Sequence, residues 1–481
     1  MAGDGKKLHV AMFPWLAFGH MIPYLDLAKF IAQKGHKISY LSTPRNLNRL
    51  PKLPPYLSSL ITFVPLSLPR LDELPENAEA TMDVHPDDVH YLKKACDGLE
   101  TELSRFLETE SPDWIIYDFS PHWLPPIAAK LGISRAFFLI INAWFLAYFG
   151  PTSWMLNDSV IRPTEPDRLT VPPEWITFPT KVAYRAYEIK RTFKTSSKPQ
   201  NASGVSDFYR SACVISGCDA LAIRHCREFE PNWLTLLEEL HQKQIIPLGL
   251  MPPSVEESGG DSNNDTWTSI SGWLNKQDVG SVVYVALGSE VALSQDELTE
   301  LALGLEISGL PFFWVLRKPA GSTEADSFML PDGFEGRTQN RGIVWKNWAP
   351  QLRILNHDSV GGFLTHCGWS SVVEGVRFGR PLIMLPLVLD QCLNARVMES
   401  YQVGIEVPRD EGDGSFTRNS VAESIRLVMV DKEKGSIYRK KAKEMSSLFG
   451  DKVLHDQYLD DFVQYLENHR HASRSSSISS S

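Results

Sequence analysis

Short apolar runs alternate with helical stretches along this chain, and they do so in two separate series. The first series opens at residues 8–13, and a helical stretch from about Met21 to Gln33 follows. Strands that alternate with helices favour a parallel sheet with helices on both faces. The other predicted strands of this series are residues 37–41, 61–64, 114–117 and 136–141. The first half of the chain is therefore predicted to be an α/β, doubly wound domain.

The same pattern restarts in the second half of the chain. Ser294 and Glu297 form a capping box that opens a helix to about Ile307. The predicted strands of this series are residues 282–287, 312–316, 360–364 and 381–387. A length of 481 residues exceeds what one hydrophobic core usually holds, so two domains are expected.

A polar stretch separates the two series, and a helical stripe closes the second. Residues 252–266 are rich in Pro, Gly, Ser and Asn, a composition typical of a linker. A predicted last helix, residues 453–467, places its apolar residues on one face: Leu454, Tyr458, Phe462 and Leu466. The predicted divisions are residues 1–250, a linker of 251–270, a second domain of 271–450, a terminal helix of 451–472 and a disordered Ser-rich tail of 473–481.

Charge and composition limit the partners of the chain. A net charge of −10 without a basic patch argues against nucleic acid. The N-terminal residues lack the apolar core of a signal peptide, so secretion is not expected. The longest apolar stretch, residues 136–148, is about half a membrane span, and Asn142 interrupts it. The six cysteines are scattered and lack zinc spacing. These features predict a cytoplasmic monomer with reduced cysteines and no membrane insertion.

Residues 348–391 offer groups suited to each part of a nucleotide sugar. The segment opens with Trp348, whose aromatic face suits a flat base, and its strand 360–364 runs into a small, polar turn that opens a helix. A helix N-terminus presents unpaired N–H groups and a positive dipole end to a diphosphate. Glu374, one turn into that helix, can accept ribose hydroxyls, and Asp390–Gln391 can hydrogen-bond a sugar. Ligands of open α/β sheets bind at such strand ends.

Three further polar residues follow predicted strands. His20 comes after the first strand and could act as a general base near neutral pH, or simply cap the helix behind it. Asp118 follows the strand 114–117 and could orient a histidine, or cap the next helix. Gly288–Ser289 ends the first strand of the second series, a usual place for a phosphate loop.

The segment from Trp348 to Gln391 resembles the signature box of plant family-1 UDP-sugar glycosyltransferases, which act on small secondary metabolites. The resemblance covers the whole chain, and three stretches resemble the subgroup that adds sugars to existing glycosides: FPWLAFGHMIPYLDLAK, PDWIIYDFS and LALGLEISGLPFFWVLRKP. It implies the glycosyltransferase-B fold, two Rossmann-like domains facing a cleft, with the last helix crossing back onto the N-terminal domain. One residue departs from the family pattern, because Ser370 stands where the family usually has Asn.

The resemblance also implies roles for individual residues. His20 matches the general base of the family, and Asp118 matches the aspartate that pairs with it. The implied UDP-sugar-binding residues are Ser289, Trp348, Ala349, Gln351, His366, Trp369, Ser370, Ser371, Glu374, Asp390 and Gln391. For an aromatic acceptor pocket we expect Trp15, Phe18, Phe119, His122, Trp144 and Phe145.

No metal or cofactor is expected besides the UDP-sugar cosubstrate. The acidic pairs Asp87–Asp88 and Asp460–Asp461 fall in a loop or early helix and in the last helix, away from the predicted diphosphate site. Backbone amides and His366 would then neutralise the leaving group.

Several alternatives stay open at this point. The expected donor is UDP-glucose, since in this family a terminal Gln such as Gln391 usually accompanies glucose, and UDP-rhamnose is the alternative. The expected acceptor is a sugar hydroxyl of a terpenoid, steroid or flavonoid glycoside, with the aglycone itself as the alternative. Two other classes are a non-catalytic nucleotide-sugar-binding protein and a dinucleotide oxidoreductase. The turn after the first strand has no GxGxxG, which argues against the oxidoreductase. UDP, but not NAD, should stabilise a transferase against heat.

Overall fold

The computed structural model describes residues 7–157, 169–196, 202–253, 264–288, 293–317 and 329–470. Its strands are β1 His9–Phe13, β2 Lys37–Ser42, β3 Ile61–Pro65, β4 Trp114–Tyr117, β5 Ser134–Leu139, β6 Ala220–Ile223, β7 Ile245–Pro247, β8 Val282–Ala286, β9 Phe312–Val315, β10 Gly342–Trp345, β11 Val360–Thr365, β12 Leu382–Met384 and β13 Gly404–Glu406.

Its α-helices are α1 Phe18–Gln33, α2 Pro44–Arg49, α3 Val89–Asp97, α4 Glu100–Glu110, α5 Leu124–Lys130, α6 Ala143–Tyr148, α7 Thr152–Leu156, α8 Ala186–Ser196, α9 Asp207–Gly217, α10 Pro231–His241, α11 Asn264–Leu274, α12 Gln295–Ser308, α13 Phe334–Thr338, α14 Gln351–Leu355, α15 Trp369–Arg377, α16 Asp390–Ser400, α17 Arg418–Met429, α18 Lys434–Phe449 and α19 Lys452–Asn468.

The chain divides into two compact units, each built on one sheet. The first unit comprises the described parts of residues 1–162, 196–251 and 453–481, and the second comprises those of 163–195 and 252–452. The second unit therefore also takes up a segment from the first half of the chain. Residues 264–270, which fall within the predicted linker, are helical and belong to α11.

Both sheets are parallel and doubly wound. The first has the strand order β3-β2-β1-β4-β5-β6-β7, and the second has the order β10-β9-β8-β11-β12-β13. In each sheet the order reverses once, between β1 and β4 in the first and between β8 and β11 in the second. The prediction of two Rossmann-like domains is confirmed, and the two reversals mark where such sheets bind ligands.

The predicted elements agree with the structure apart from their ends. The capping box is present, because Ser294 accepts from the backbone N–H of Glu297 and the Glu297 carboxylate accepts from the N–H of Ser294. The predicted strand 381–387 is shorter, since only Leu382–Met384 pair as β12. Proline offers no N–H to a ladder, and Pro386 follows where the chain leaves the sheet. Strands β6, β7, β10 and β13 were not predicted.

The apolar stretch of residues 136–148 is divided between β5 and α6. Asn142 lies between these elements, and its Oδ1 accepts from the N–H of Phe145 at 3.2 Å, which caps the helix. Among the residues that the structure describes, no helix has the length and apolar character needed to cross a membrane.

Helix α19 completes the core of the first unit. Leu459, Phe462, Val463 and Leu466 are buried in the same cluster as the β1 and β4 side chains. The indole N–H of Trp114 donates to the carbonyl of Leu466 at 2.9 Å, which fixes the end of the helix on the sheet. Phe462 and Leu466 of the predicted stripe are buried, whereas Leu454 and Tyr458 are half-buried, and Leu459 and Val463 complete the buried face.

We predict that Phe462→Ala destabilises the first unit by about 3–5 kcal/mol, because the removed ring leaves a cavity in the core. Phe462 is 0% exposed. Val453→Ala is the matched control on the same helix, since Val453 is 82% exposed and surface substitutions change stability by less than about 0.5 kcal/mol. Thermal unfolding followed by circular dichroism measures both. Equal midpoints for the two variants would show that α19 does not stabilise this unit.

Candidate active site

The first cluster of candidate residues lies where the order of the first sheet reverses. Strands β1 and β4 are parallel neighbours, and Phe13 at the end of β1 is opposite Tyr117 at the end of β4. His20 lies in the first turn of α1, shortly after β1, and Asp118 directly follows β4. Two residues far apart in sequence therefore meet at the carboxyl edge of the sheet.

His20 and Asp118 form a hydrogen-bonded pair. Nδ1 of His20 lies 2.8 Å from Oδ2 of Asp118, whose side chain is 2% exposed. The Asp118 carboxylate also accepts from the backbone N–H of Trp15 at 3.1 Å and from that of Phe119 at 2.8 Å. These backbone donors hold the carboxylate in one orientation. A carboxylate accepts from the Nδ1–H of imidazole, and that tautomer carries its basic lone pair on Nε2.

Aromatic rings lie next to this pair. The rings of Trp15 and Phe119 meet edge to face at 5.7 Å, and Phe119 lies 5.9 Å from the His20 ring. Phe18 is half-buried, with the Arg49 guanidinium 5.0 Å above its ring. The structure thus places Phe119 next to His20, and Trp15 next to Phe119.

The other two aromatic candidates lie deeper. Trp144 is 0% exposed and packs against His225 and Phe229, with ring centroids 5.5 and 6.0 Å away. Phe145 is 6% exposed and contacts Phe149 at 4.9 Å. The described contacts place Trp144 in the core and give no support to a role in an acceptor pocket.

A buried arginine, Arg210, contacts His122 and was not predicted from the sequence. Arg210 is 0% exposed, and its Nη1 donates to the carbonyl of Ser120 and to Oδ1 of Asp97, both at 2.7 Å. The same Nη1 lies 3.2 Å from Nδ1 of His122. Burial, and next the Arg210 charge, lower the pKa of His122. His122 is therefore a neutral imidazole whose Nδ1 accepts from Arg210, and its Nε2–H is a donor. No local motif signals this, because Asp97 and Arg210 are 113 residues apart.

The second cluster lies where the order of the second sheet reverses. Ala286 at the end of β8 is opposite Thr365 at the end of β11. Gly288 follows β8, and His366 follows β11. A Cβ atom on Gly288 or on Gly368 would lie only 2.7 or 2.6 Å from Nε2 of His366, so both turns need glycine to accommodate the ring. Ser289, the predicted phosphate ligand after β8, lies outside the described residues.

His366 is a neutral side chain at pH 7. Burial lowers its pKa to about 4. Its Nδ1 is buried and has no hydrogen-bond partner among the described residues. A neutral imidazole can offer a diphosphate an N–H donor but no positive charge.

The turn after His366 opens helix α15. Cys367 has a φ of 66°, and its N–H donates to Oγ1 of Thr365 at 3.2 Å. Ser370 and Ser371 lie in the first helical turn, at the positive end of the helix dipole. The Trp369 ring is 3% exposed and lies 6.2 Å from Phe449, so this side chain is part of the core. Any contact of Trp369 with a sugar would have to come from its backbone.

The residues predicted to contact the nucleobase and the ribose lie along the same edge of the second sheet. Trp348 is 47% exposed, and its carbonyl accepts from the indole N–H of Trp345 at 3.1 Å. Ala349 next to it is buried. Nε2 of Gln351 lies 2.6 Å from Oε2 of Glu374, so the two predicted ribose ligands are in direct contact. An exposed aromatic ring beside a polar pair suits a base next to a ribose.

The predicted sugar contacts open helix α16. Oε1 of Gln391 accepts from the N–H groups of Leu387 and Val388 at 3.0 and 3.1 Å. Asn394, which sequence reasoning missed, donates to Oδ2 of Asp390 and to the carbonyl of Cys367, both at 2.8 Å. It thus links Asp390 to the turn that opens α15. Its spacing of four residues from Asp390, on one helix face, is the signal that could have identified it.

Comparison with known proteins places the chain in a known family. A family model described as UDP-glucoronosyl and UDP-glucosyl transferase matches residues 247–475. UDP-glycosyltransferase 91D1 of Stevia rebaudiana is 55% identical to the chain, over 98% of the chain and 94% of that relative. Soyasaponin III rhamnosyltransferase of Glycine max is 43% identical, over 97% of both proteins.

Solved structures agree on the fold. Os79 from O. sativa, in complex with a trichothecene, matches with a TM-score of 0.76 at 22% identity, over 95% of this chain and 100% of that one. Arabidopsis thaliana UGT89C1 complexed with UDP-L-rhamnose matches with a TM-score of 0.72 at 23% identity, over 96% and 99% of the two chains. At these identities the likeness concerns the fold alone.

Two parallel Rossmann-like sheets, each with its polar cluster at the reversal point, define the glycosyltransferase-B class. The chain belongs to the plant family-1 UDP-glycosyltransferases. The protein is therefore a UDP-glycosyltransferase, an enzyme that uses a UDP-sugar donor, and the oxidoreductase and the non-catalytic alternatives are set aside.

We predict that Gly368→Ala weakens UDP binding roughly tenfold, the equivalent of about 1.4 kcal/mol. The new methyl group would displace the His366 ring, whereas the backbone of Gly368, with a φ of −56°, accepts alanine without strain. Gly336→Ala is the control, since a Cβ there would have no neighbour within 4 Å. Isothermal titration with UDP measures both variants. An unchanged affinity of Gly368→Ala would remove His366 from the diphosphate site.

Proposed function

We propose that the enzyme transfers glucose from UDP-glucose, with inversion and without a metal, to a sugar hydroxyl of a small-molecule glycoside. Terpenoid, steroid and flavonoid glycosides are the proposed acceptor classes. The observation that carries the proposal is the contact of Nδ1 of His20 with the buried carboxylate of Asp118 at the reversal point of the first sheet.

His20 supplies the base in this mechanism. Its Nε2 accepts the proton of the acceptor hydroxyl while that oxygen forms a bond to C1 of the glucose. The bond from C1 to the diphosphate oxygen breaks on the opposite face, so the configuration at C1 inverts and UDP leaves. Asp118 stabilises the imidazolium that forms and holds its orientation. Such proton abstraction typically contributes about 10²- to 10⁴-fold to the rate.

The leaving diphosphate gains its charge next to the first turn of α15. N–H groups and the dipole of a helix N-terminus stabilise such a charge, and a neutral His366 adds one more N–H donor. Within the described parts of the chain, no three His, Cys, Asp or Glu side chains are placed to hold a metal ion together. The proposal therefore assigns charge stabilisation to backbone and imidazole donors.

Two side chains favour glucose as the transferred sugar. Because Oε1 of Gln391 already accepts from two backbone N–H groups, its amide NH₂ is the part that donates to a sugar hydroxyl. Asp390 next to it accepts from another hydroxyl. Rhamnose lacks a 6-hydroxyl and has a different ring configuration, which would leave polar groups unpaired in a dry site.

Rhamnosyl transfer is the second candidate, and two observations favour it. One relative that is 43% identical is named a rhamnosyltransferase, and Ser370 departs from the usual Asn beside the donor. Direct glucosylation of an aglycone remains the alternative for the acceptor.

The His20 prediction separates catalysis from binding. His20→Ala should lower turnover by about 10²- to 10⁴-fold, since the base is lost, while the affinity for UDP stays the same. Asp118→Asn should act in the same direction by misorienting the imidazole. His85→Ala is the matched control, because His85 is 60% exposed and lies in a short surface turn. Product formation and UDP titration are measured for each variant. Turnover close to that of the unaltered enzyme in His20→Ala would disprove the assignment of the base.

The donor prediction is a competition experiment. UDP-glucose and UDP-rhamnose at equal concentration are offered with a panel of glycosides in the presence of EDTA, and product mass and linkage are read out. We expect glucosides to dominate, because Gln391 and Asp390 pair with glucose hydroxyls. A higher kcat/KM for UDP-rhamnose would refute the glucose assignment and leave the transferase assignment intact.

Activity that EDTA abolishes and Mg²⁺ restores would refute the metal-free mechanism.

A further inference from the structure

A strained turn precedes the sugar-binding pair of α16. The N–H of Gln391 donates to the carbonyl of Val388 at 3.3 Å, which closes a four-residue turn. Leu389, at the first central position, has φ 56° and ψ −133°. This is the backbone of a type II′ turn, a conformation that favours glycine. The Leu389 side chain is 42% exposed, so its own packing does little to offset the strain.

Side chains from two directions hold this turn. From within, Oε1 of Gln391 accepts from the N–H groups of Leu387 and Val388. From outside, the Tyr184 hydroxyl donates to the Leu389 carbonyl at 3.2 Å. Tyr184 is 2% exposed, so its ring has a fixed place. Rotation of the Leu389–Asp390 peptide would turn this carbonyl away from the hydroxyl, and the hydrogen bond therefore opposes that rotation.

Tyr184 belongs to a segment that buried charges anchor to α16. Glu188, with its side chain 2% exposed, lies 2.7 Å from a guanidinium nitrogen of Arg396 on α16, and Arg396 also contacts Glu406. Arg185 forms an ion pair with Glu406 at 3.1 Å. Breaking a buried ion pair is strongly destabilising. The segment of residues 184–188 is therefore held against α16, and this fixes the position of Tyr184 relative to the start of that helix.

We propose that Tyr184 is a positioning residue for the sugar half of the donor. Its hydroxyl holds the Leu389 carbonyl, keeps the strained turn in one conformation and thereby aims Asp390 and Gln391 at the sugar. The inference rests on the proposed function, since it requires that these two residues bind the transferred sugar. The residues proposed to contact the nucleobase, the ribose and the diphosphate lie elsewhere. Loss of the Tyr184 hydroxyl should therefore weaken binding of the sugar and leave binding of UDP unchanged.

The test compares a sugar nucleotide with UDP. Tyr184→Phe removes one hydroxyl and is titrated with UDP, UDP-glucose and UDP-rhamnose. We expect the affinity for the preferred sugar nucleotide to fall about fivefold, the usual effect of one lost hydrogen bond, and the affinity for UDP to stay within about twofold. Loss of an interaction that is made equally in the ground state and the transition state raises KM and leaves kcat unchanged. KM for the donor should therefore rise by the same factor.

Tyr187→Phe is the matched control. Tyr187 lies in the same segment, and its hydroxyl accepts from Nη1 of Arg185 at 3.0 Å. We expect both affinities of this variant to match those of the unaltered protein. A uniform loss of UDP and sugar-nucleotide binding in Tyr184→Phe, no loss at all, or the same loss in Tyr187→Phe would each overturn the inference.

Two more variants separate the inference from the proposed function. If Gln391→Ala leaves the ratio of the UDP-glucose and UDP affinities unchanged, the sugar site itself is misplaced. If Gln391→Ala lowers that ratio and Tyr184→Phe does not, only the role of Tyr184 fails. Glycine adopts the Leu389 backbone without strain. Adding Leu389→Gly to Tyr184→Phe should therefore restore part of the sugar selectivity, and no restoration would refute the strain mechanism.

Discussion

The reversal of strand order is the constraint on which both clusters depend. At each reversal, two parallel neighbours send their following segments to opposite faces of the sheet, which leaves a crevice at their carboxyl ends. In the first unit that crevice joins His20 to Asp118, and in the second it joins Gly288 to His366. The candidate residues are thus divided between two copies of one topological feature, with the proposed base on one sheet and the proposed diphosphate donors on the other.

Three histidines show how the surroundings of a ring nitrogen assign its role. A carboxylate faces Nδ1 of His20, which suits this ring to the role of base that we propose. A guanidinium faces Nδ1 of His122, so that ring stays neutral and keeps a donor at Nε2. Burial alone keeps His366 neutral. In the proposed mechanism the same side chain therefore serves proton transfer at His20 and charge stabilisation at His366.

The donor half of the site combines close backbone approach with local strain. Non-glycine residues with positive φ stand in both turns that open donor helices: Cys367 before α15 and Leu389 before α16. Asn394 joins the two turns through the Cys367 carbonyl and the Asp390 carboxylate. Strained residues persist where the surrounding structure over-determines them, and such positions concentrate at functional sites. Asn394 thus connects the first residue of α16 to the turn that opens α15.

The sequence by itself determined the two doubly wound sheets, the capping box of α12, the helix α19 and the positions of His20 and Asp118. These follow from local periodicity and from the rule that parallel strands end at one edge. Only the tertiary structure decided which distant side chains meet. Arg210 reaches Asp97 across 113 residues, Tyr184 reaches Leu389 across 205, and residues 169–195 pack into the second unit. Contacts of this kind leave no periodic trace in the sequence, because they depend on how separate elements pack and not on the local conformation of either partner.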